Sequence, residues 1–452
     1  MGLKVYIETY GCALARFDSA IMASVLEERG HEVVGDPSSA DVLIVNTCAV
    51  RLDTEQRIVK RLVEIQRIYP GKKLIVAGCL AAARPGLVRR VAPRASLVSP
   101  QNSSRVWIAV ESPARVFMLG GERDTSRMPS PRVEWAVGTI MIQEGCLGNC
   151  SFCLTKKARK KLKSYPPELV VEAVKRLVEL GAREIRLTGQ DTAAYGFDLP
   201  GRPSLADLVG EILDRVPGDY RIRIGMMTPE QAMRIIDDLI EVYADPRVYK
   251  FFHIPVQSGS DRVLKIMNRK YTVSDYIGLI EGIRARYPDS LIATDIIVGH
   301  PGEGEEDFEL TLDLVRRLEF DRVHVAQYTI RPHTKSAAMP QLPDSVKKER
   351  SRILMKLVEE IGLKRHRRYV GTLQRALVAG KAYRPNSVLA RLDNYYPVIL
   401  PGDAGVTPGE WVTVRIVDAT FYDLRGIPTG ARGGYGEQGV MSPSTSIAAP
   451  ER

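Results

Sequence analysis

Six cysteines occur in the 452 residues, and spacing sorts them into two groups of three. Cys146, Cys150 and Cys153 stand as C-x-x-x-C-x-x-C in the run EGCLGNCSFC. Three thiolates on one short loop can ligate three irons of a [4Fe–4S] cluster, which ordinarily takes four cysteines. The fourth iron is then free of protein ligands and open to chemistry. The alternatives are zinc and three unrelated thiols. Structural zinc generally pairs one Cys pair with a second Cys or His pair, and none follows nearby. Cys12, Cys48 and Cys79 lie far apart, but each ends or follows a strand-like run: KVYIETYGC, VLIVNTC and LIVAGC. In a parallel sheet the C-terminal strand ends share one edge, where ligands bind. Three cysteines at that edge can converge on a second cluster with a second open iron. Zinc held by three cysteines, or three inert buried thiols, are the alternatives there. Six cysteines in this length are too sparse for a disulfide scaffold.

The elements that must position these residues are legible as periodicity. Over residues 1–130, strands such as Val42–Val45 and Leu74–Ala77 alternate with helical stretches at Ser19–Arg29 and Thr54–Tyr69, as a parallel sheet requires. Glu122–Glu134 is polar, holds Pro129 and Pro131, and reads as a linker. Over residues 131–369 the pattern repeats six times, with strands expected at Val137–Ile142, Glu184–Thr188, Arg221–Met227, Lys250–Pro255, Leu291–Val298 and Val323–Ile330. That suits a partial (β/α)6 barrel, with a doubly wound open sheet as its rival. A basic helix is expected over Ser345–Tyr369, with Ile353, Leu357, Ile361 and Lys364 at helical spacing. Residues 370–433 form short β runs broken by Gly, Pro, Asn and Asp, the pattern of a small all-β barrel. The tail 434–452 reads as disordered.

With 44% apolar and 26% charged residues, the composition is globular and excludes fibrous or wholly disordered chains. No apolar run is long enough to span a bilayer, and the N-terminus has no long apolar signal segment, so a cytoplasmic protein without a membrane partner is expected. The net charge of +10 suits a polyanionic partner.

The motifs TYGC, NTCAVR, VAGCL, EGCLGNCSFC, LTGQDTAAYG, HIPVQSGSDRVLKIMNRKYT, TDIIVGHPGE and EEDFELTL, in that order across residues 1–430, resemble those of radical S-adenosylmethionine (SAM) methylthiotransferases. LTGQDTAAYG and SFCLTKKARKKLKSYP are closest to the archaeal and eukaryotic branch that modifies N6-threonylcarbamoyladenosine in tRNA. Ala15 departs from the family's usual G-C-x-x-N. The resemblance implies an α/β protein of three domains: a Rossmann-like N-terminal domain with an auxiliary [4Fe–4S] cluster on Cys12, Cys48 and Cys79; a radical-SAM partial barrel with a second cluster on Cys146, Cys150 and Cys153; and a C-terminal TRAM barrel that binds RNA. It implies methylthiolation at C2 of the adenosine next to the anticodon. One SAM is cleaved to a 5′-deoxyadenosyl radical, a second SAM supplies the methyl group, and an electron donor supplies the electron. The aromatic C2–H yields to no general base, so cofactors must carry the chemistry.

Around the loop cluster, Phe152 can pack on the SAM adenine or on its own loop. Thr188, Gln190 and Asp191 follow one strand and Gln257 and Ser258 another, at the end where barrel sites are built. Arg269 can pair with the SAM carboxylate. Residues 156–163 carry six basic side chains in eight positions: Lys156, Lys157, Arg159, Lys160, Lys161 and Lys163. They are expected to meet phosphates of a tRNA anticodon stem-loop, a solvated loop being the alternative. A second basic run, Lys364–Arg368, precedes the β module, where Arg391, Tyr395 and Tyr396 can contact RNA or pack in the core. Other expected readings are methylthiolation of a ribosomal-protein aspartate or another modified adenosine, and an RNA-binding protein with structural clusters. The oligomeric state is not readable.

Overall fold

A computed structural model describes residues 2–429. The tail expected at 434–452 and the last residues assigned to the β module lie outside the described residues.

Six parallel strands open the chain: β1 (Lys4–Thr9), β2 (Glu32–Val34), β3 (Val42–Thr47), β4 (Lys73–Gly78), β5 (Ser96–Val98) and β6 (Phe117–Met118). Their order is β2-β1-β3-β4-β5-β6. The runs VLIV and LIVA are buried throughout, because helices cover both faces of the sheet. Cys12, Cys48 and Cys79 follow β1, β3 and β4, which are immediate neighbours in register (Thr9 beside Asn46, Thr47 beside Gly78).

After β7 (Val133–Glu134) and β8 (Val137–Met141), an antiparallel pair, β9 (Gln143–Glu144) and β10 (Lys163–Ser164), brackets the cysteine loop. There follow β11 (Glu184–Thr188), β12 (Arg221–Ile224), β13 (Phe251–His253), β14 (Leu291–Val298) and β15 (Arg322–Gln327). They form two curved sheets, β12-β11-β8-β7 and β13-β14-β15, joined by one parallel bridge between Ile222 and Val248. The six parallel strands alternate with helices as a partial barrel. β12, β13 and β15 end short of the runs expected for them: β12 stops before Gly225, β13 before Pro255, which has no N–H to give the ladder, and β15 at Gln327. Ile185, Leu187, Ile222, Ile224, Ile292 and Ile296 pack outward on the helices. Strand alternation therefore turns Arg186, Arg223, Asp295 and His324 into the lumen.

The long helix is Asp344–Arg367, and its buried stripe is Leu354, Val358, Ile361 and Arg365. Ile353, expected on that stripe, lies 37% exposed, because the helix is turned by one residue toward the barrel. The last five strands, β16 (Leu373–Lys381), β17 (Ser387–Leu392), β18 (Pro397–Pro401), β19 (Trp411–Ala419) and β20 (Leu424–Pro428), close into a barrel ordered β16-β17-β18-β20-β19. Its Tyr395 and Tyr396 share one core with Tyr249, Phe251, Leu291 and Ala293 at the starts of β13 and β14. The module is thus seated on the bottom of the larger barrel, and of the two readings for these tyrosines core packing holds: both are buried. No described helix is long and apolar enough to cross a membrane.

Candidate active site

The first triad is assembled by strand ends. Gly11 has φ +132°, and a Cβ there would lie 3.0 Å from Cys48 Cβ. Gly78, at φ +90°, passes so near β3 that a Cβ would lie 2.5 Å from the Thr47 carbonyl oxygen. Only glycine fits either turn. Thr47 Oγ1 donates to the Ala77 carbonyl (2.5 Å) and accepts from Leu80 N–H (3.2 Å), fixing the turn that carries Cys79. Beside the substituted position, Asn46 Nδ2 donates to the Ala15 carbonyl (2.7 Å). Cys48 and Cys79 are buried and Cys12 is exposed. Burial pushes the Cys79 thiol up to about 12 and the Cys48 thiol upward, each feeling Cys12 and opposed by the nearby Arg159 cation.

The second triad lies on the loop between β9 and β10. Gly148 leaves open the space around it: a Cβ there would be 3.8 Å from Cys150 Sγ and 4.0 Å from both Cys146 Sγ and Glu230 Oε1. Arg269 Nη1 donates to Cys150 Sγ (3.1 Å) and its Nε to Tyr271 Oη (3.0 Å). Lys156 Nζ donates to the Cys146 carbonyl (2.5 Å). Burial pushes Cys146 up to about 12 and Cys153 upward. Arg269 Nη2 and Glu230 Oε2 stand 3.4 Å apart, both buried and neither hydrogen-bonded.

Among the described residues, the group of three ligand atoms all within 4.8 Å of one another is His253, Asp295 and His324. Neither cysteine triad is that tight. Three cysteines with no fourth cysteine or histidine ligand nearby in the chain suit an iron–sulfur core with one open iron. An acidic and a basic side chain, within ion-pair distance of each other and beside the loop triad, match the two charged ends of an amino acid.

The other expected SAM residues divide. Thr188 ends β11, and Gln190 Oε1 accepts from Gly145 N–H (2.6 Å), tying that strand end to the cysteine loop. Phe152 is partly exposed, edge-on to His300 at 6.2 Å. Gln257, at φ +72°, bridges to Ile296 and stays partly open. Asp191 and Ser258 are buried and already hydrogen-bonded to the protein. Asp191 is fully buried, accepting from Thr228 N–H (2.9 Å) and Oγ1 (2.6 Å), and burial pushes its carboxyl up to about 6. Ser258 is buried beside Thr311, accepting from Ser260 N–H (3.2 Å). Both shape the loops on which ligand-facing groups ride.

The basic run is corrected at Arg159. Its guanidinium is buried between Asp18 and Glu144, with Nη1 donating to Glu144 (2.6 Å). Arg123 from the linker binds the same two carboxylates (2.6 Å to Glu144). Lys161 and Lys163 each meet Glu122 at 2.8 Å. Lys157 and Lys160 keep their ammonium groups for solvent or phosphate, with no ion pair among the described residues. The second run is likewise split: Arg365 pairs with buried Asp321, and His366 stands edge-on to Tyr396 at 5.0 Å.

Leu154 and Ala158 of the cysteine loop share a core with Cys48, Cys79 and Leu80. After β15, Arg331 Nη2 donates to the Ala49 carbonyl (2.6 Å) and Glu55 (2.7 Å). The two triads are therefore held edge to edge. Sequence reasoning missed Glu230, Arg123 and Arg331. The available signal was Asp18, an acid on the apolar face of the helix Ala13–Glu28, which demands a buried cation.

Three family models match this chain: Radical SAM superfamily over residues 140–315, Uncharacterized protein family UPF0004 over 4–99, and TRAM domain over 367–429. A curated "Probable threonylcarbamoyladenosine tRNA methylthiotransferase" of Pyrococcus abyssi is 39% identical, with 94% of this chain and 99% of that one covered. The "Threonylcarbamoyladenosine tRNA methylthiotransferase" of Danio rerio is 33% identical over 94% of this chain and 78% of its own. A "tRNA-2-methylthio-N(6)-dimethylallyladenosine synthase" of Chloroflexus aurantiacus is 36% identical, covering 94% and 91%. Among solved structures, the radical SAM methyltransferase TsrM of Kitasatospora setae, with cobalamin and a [4Fe–4S] cluster bound, superposes with a TM-score of 0.58 at 15% identity, over 75% of this chain and 77% of its own. That likeness is one of fold.

Proposed function

The chain belongs to the radical SAM methylthiotransferases, in the branch of the archaeal and eukaryotic threonylcarbamoyladenosine tRNA enzymes, and from that premise we propose that it places a methylthio group on C2 of N6-threonylcarbamoyladenosine next to a tRNA anticodon. The family uses SAM and [4Fe–4S] clusters, which supply the one-electron C–H activation and the sulfur. Cys146, Cys150 and Cys153 hold one cluster, and Cys12, Cys48 and Cys79 the other. Each leaves one iron without a protein ligand. The observation that carries this reading is that two three-cysteine sites are packed against each other through one shared core.

This chain's own residues bind and orient. Arg269 and Glu230, buried beside Cys150 and bound there only as a 3.4 Å ion pair, would hold the charged amino-acid end of SAM. Gly148 leaves room for that end of the molecule. Phe152, Thr188, Gln190 and Gln257 line the rest of the mouth. Arg159 sets a fixed cation against the first triad and favours its thiolate form. Lys157 and Lys160 present positive charge at the mouth to the anticodon stem-loop, and the TRAM barrel adds a further RNA surface. A target in an anticodon loop is already single-stranded, so presenting it costs little. An electron donor and the cytoplasm, where tRNA is available, complete the setting.

The test is anaerobic reconstitution, reduction, and incubation with SAM and tRNA, followed by mass spectrometry of nucleosides. The expected product is the 2-methylthio derivative of N6-threonylcarbamoyladenosine, together with 5′-deoxyadenosine. Release of 5′-deoxyadenosine with no tRNA product would sink the tRNA reading. Absence of 5′-deoxyadenosine would sink the enzyme.

A further inference from the structure

The lumen below the cysteine loop is polar, and one of its cations has no carboxylate within ion-pair distance. Glu184 is matched by Arg186, whose Nε lies 2.5 Å away, and also accepts from Tyr395 Oη (3.0 Å). Asp295 is matched by two imidazoles, His253 Nε2 at 3.1 Å and His324 Nδ1 at 2.7 Å. Arg223 has no carboxylate partner among the described residues. Its guanidinium lies over the Phe251 ring at 4.7 Å and 5.8 Å from the Tyr395 ring centre, and its Nε is buried without a hydrogen bond. The residue is partly accessible, and strand alternation turns its side chain into the lumen. Burial pulls the guanidinium below its ordinary value. His324 Nε2, also turned into the lumen, is buried and unpartnered. A buried cation left without an anion is costly, and here the aromatic rings hold it in place while leaving its hydrogen-bonding edge free.

The two kinds of relative differ in the group on N6. A dimethylallyl group is a neutral hydrocarbon. A threonylcarbamoyl group ends in a carboxylate and a hydroxyl. We infer that Arg223 is the specificity-determining residue of this chain, binding the carboxylate of the N6-threonylcarbamoyl arm inside the barrel. The inference rests on the tRNA reading above and adds where the arm goes. Arg223 is the penultimate residue of its strand, roughly 3 Å below the strand end. A threonylcarbamoyl arm is little more than one residue long, about 5 Å, and so spans that depth from a purine at the mouth. A planar guanidinium suits a carboxylate in two-point contact, and a dimethylallyl arm would leave it unpaired.

The reconstituted, reduced holoenzyme is given tRNA bearing N6-threonylcarbamoyladenosine and the same tRNA with the threonine carboxylate converted to a carboxamide. Wild type is expected to favour the carboxylate by at least about 30-fold in kcat/KM. R223M is expected to bring that ratio near one, with iron content as the check that the protein is loaded. R223K keeps the charge but not the fork, and is expected to lower the ratio several-fold. Equal use of both tRNAs by wild type, or an unchanged ratio in R223M or R223K, overturns the inference and leaves the tRNA reading standing. No 2-methylthio product on either tRNA, with 5′-deoxyadenosine still released, overturns both.

Discussion

Cys146, Cys150 and Cys153 fall within eight consecutive residues, whereas Cys12, Cys48 and Cys79 are drawn from 68. The loop triad is set by one loop bracketed by β9 and β10. The strand-end triad exists only once β1, β3 and β4 are paired in register and two glycine turns have closed. One site is local and the other is a product of the whole N-terminal fold. A local site can fill early and survive partial unfolding; a strand-end site is tied to the sheet that makes it. Under the proposed function the contrast also divides the chemistry: the loop triad would hold the radical source and the strand-end triad the sulfur source, packed against each other through one core.

The largest effects should come from the cysteines themselves. Cys146→Ala is expected to abolish 5′-deoxyadenosine formation. Cys48→Ala should retain part of it while forming no methylthio product and holding about four irons fewer per chain. Normal product from Cys48→Ala would break the division of labour between the triads.

Next in size is Arg159→Met. It leaves Asp18 and Glu144 with a single buried cation, Arg123, a loss of order 3–5 kcal/mol in unfolding free energy. Chemical denaturation with iron release as a second signal should show the strand-end irons leaving first. Simultaneous loss of both sets of iron would mean that the sites are not independent. Gly78→Ala sharpens the same point. The backbone there costs about 1–3 kcal/mol for a residue with a side chain, and the added Cβ meets β3. Gly148→Ala has ordinary van der Waals room and should cost far less. Equal destabilisation by the two substitutions would contradict the contrast between a tertiary and a local site.

The same division governs what could be read from the sequence. C-x-x-x-C-x-x-C is visible because its geometry is carried by adjacent residues. The strand-end triad was legible one step less directly, through three apolar runs that each stop at a cysteine. What remained hidden was every pairing between distant residues. Arg159 looks like any other member of KKARKKLK, and only the arrival of Asp18, from 141 positions earlier, turns it inward. Asp321 does the same to Arg365, and the base of the larger barrel to Tyr395 and Tyr396. Arg223 carries no local signal, since a basic residue between two isoleucines in a short strand is read equally well as solvent-facing.

The smallest expected effect concerns the residues that the fold leaves free. Lys157 and Lys160 flank the inward-turned Arg159 and have no ion pair among the described residues, so they are the members of the basic run suited to phosphate. Lys157→Glu with Lys160→Glu should weaken tRNA binding by about tenfold or less near physiological salt, and should lower the slope of log affinity against log salt by roughly one to two. Unfolding free energy and iron content should not change, in contrast to Arg159→Met. Lys161 and Lys163 differ, because each already shares Glu122; replacing Glu122 with Gln should strengthen tRNA binding slightly by releasing them. Affinities measured at three or more salt concentrations separate these outcomes. A salt slope identical to wild type in the Lys157/Lys160 pair would assign the loop to solvent and leave RNA contact to the TRAM barrel.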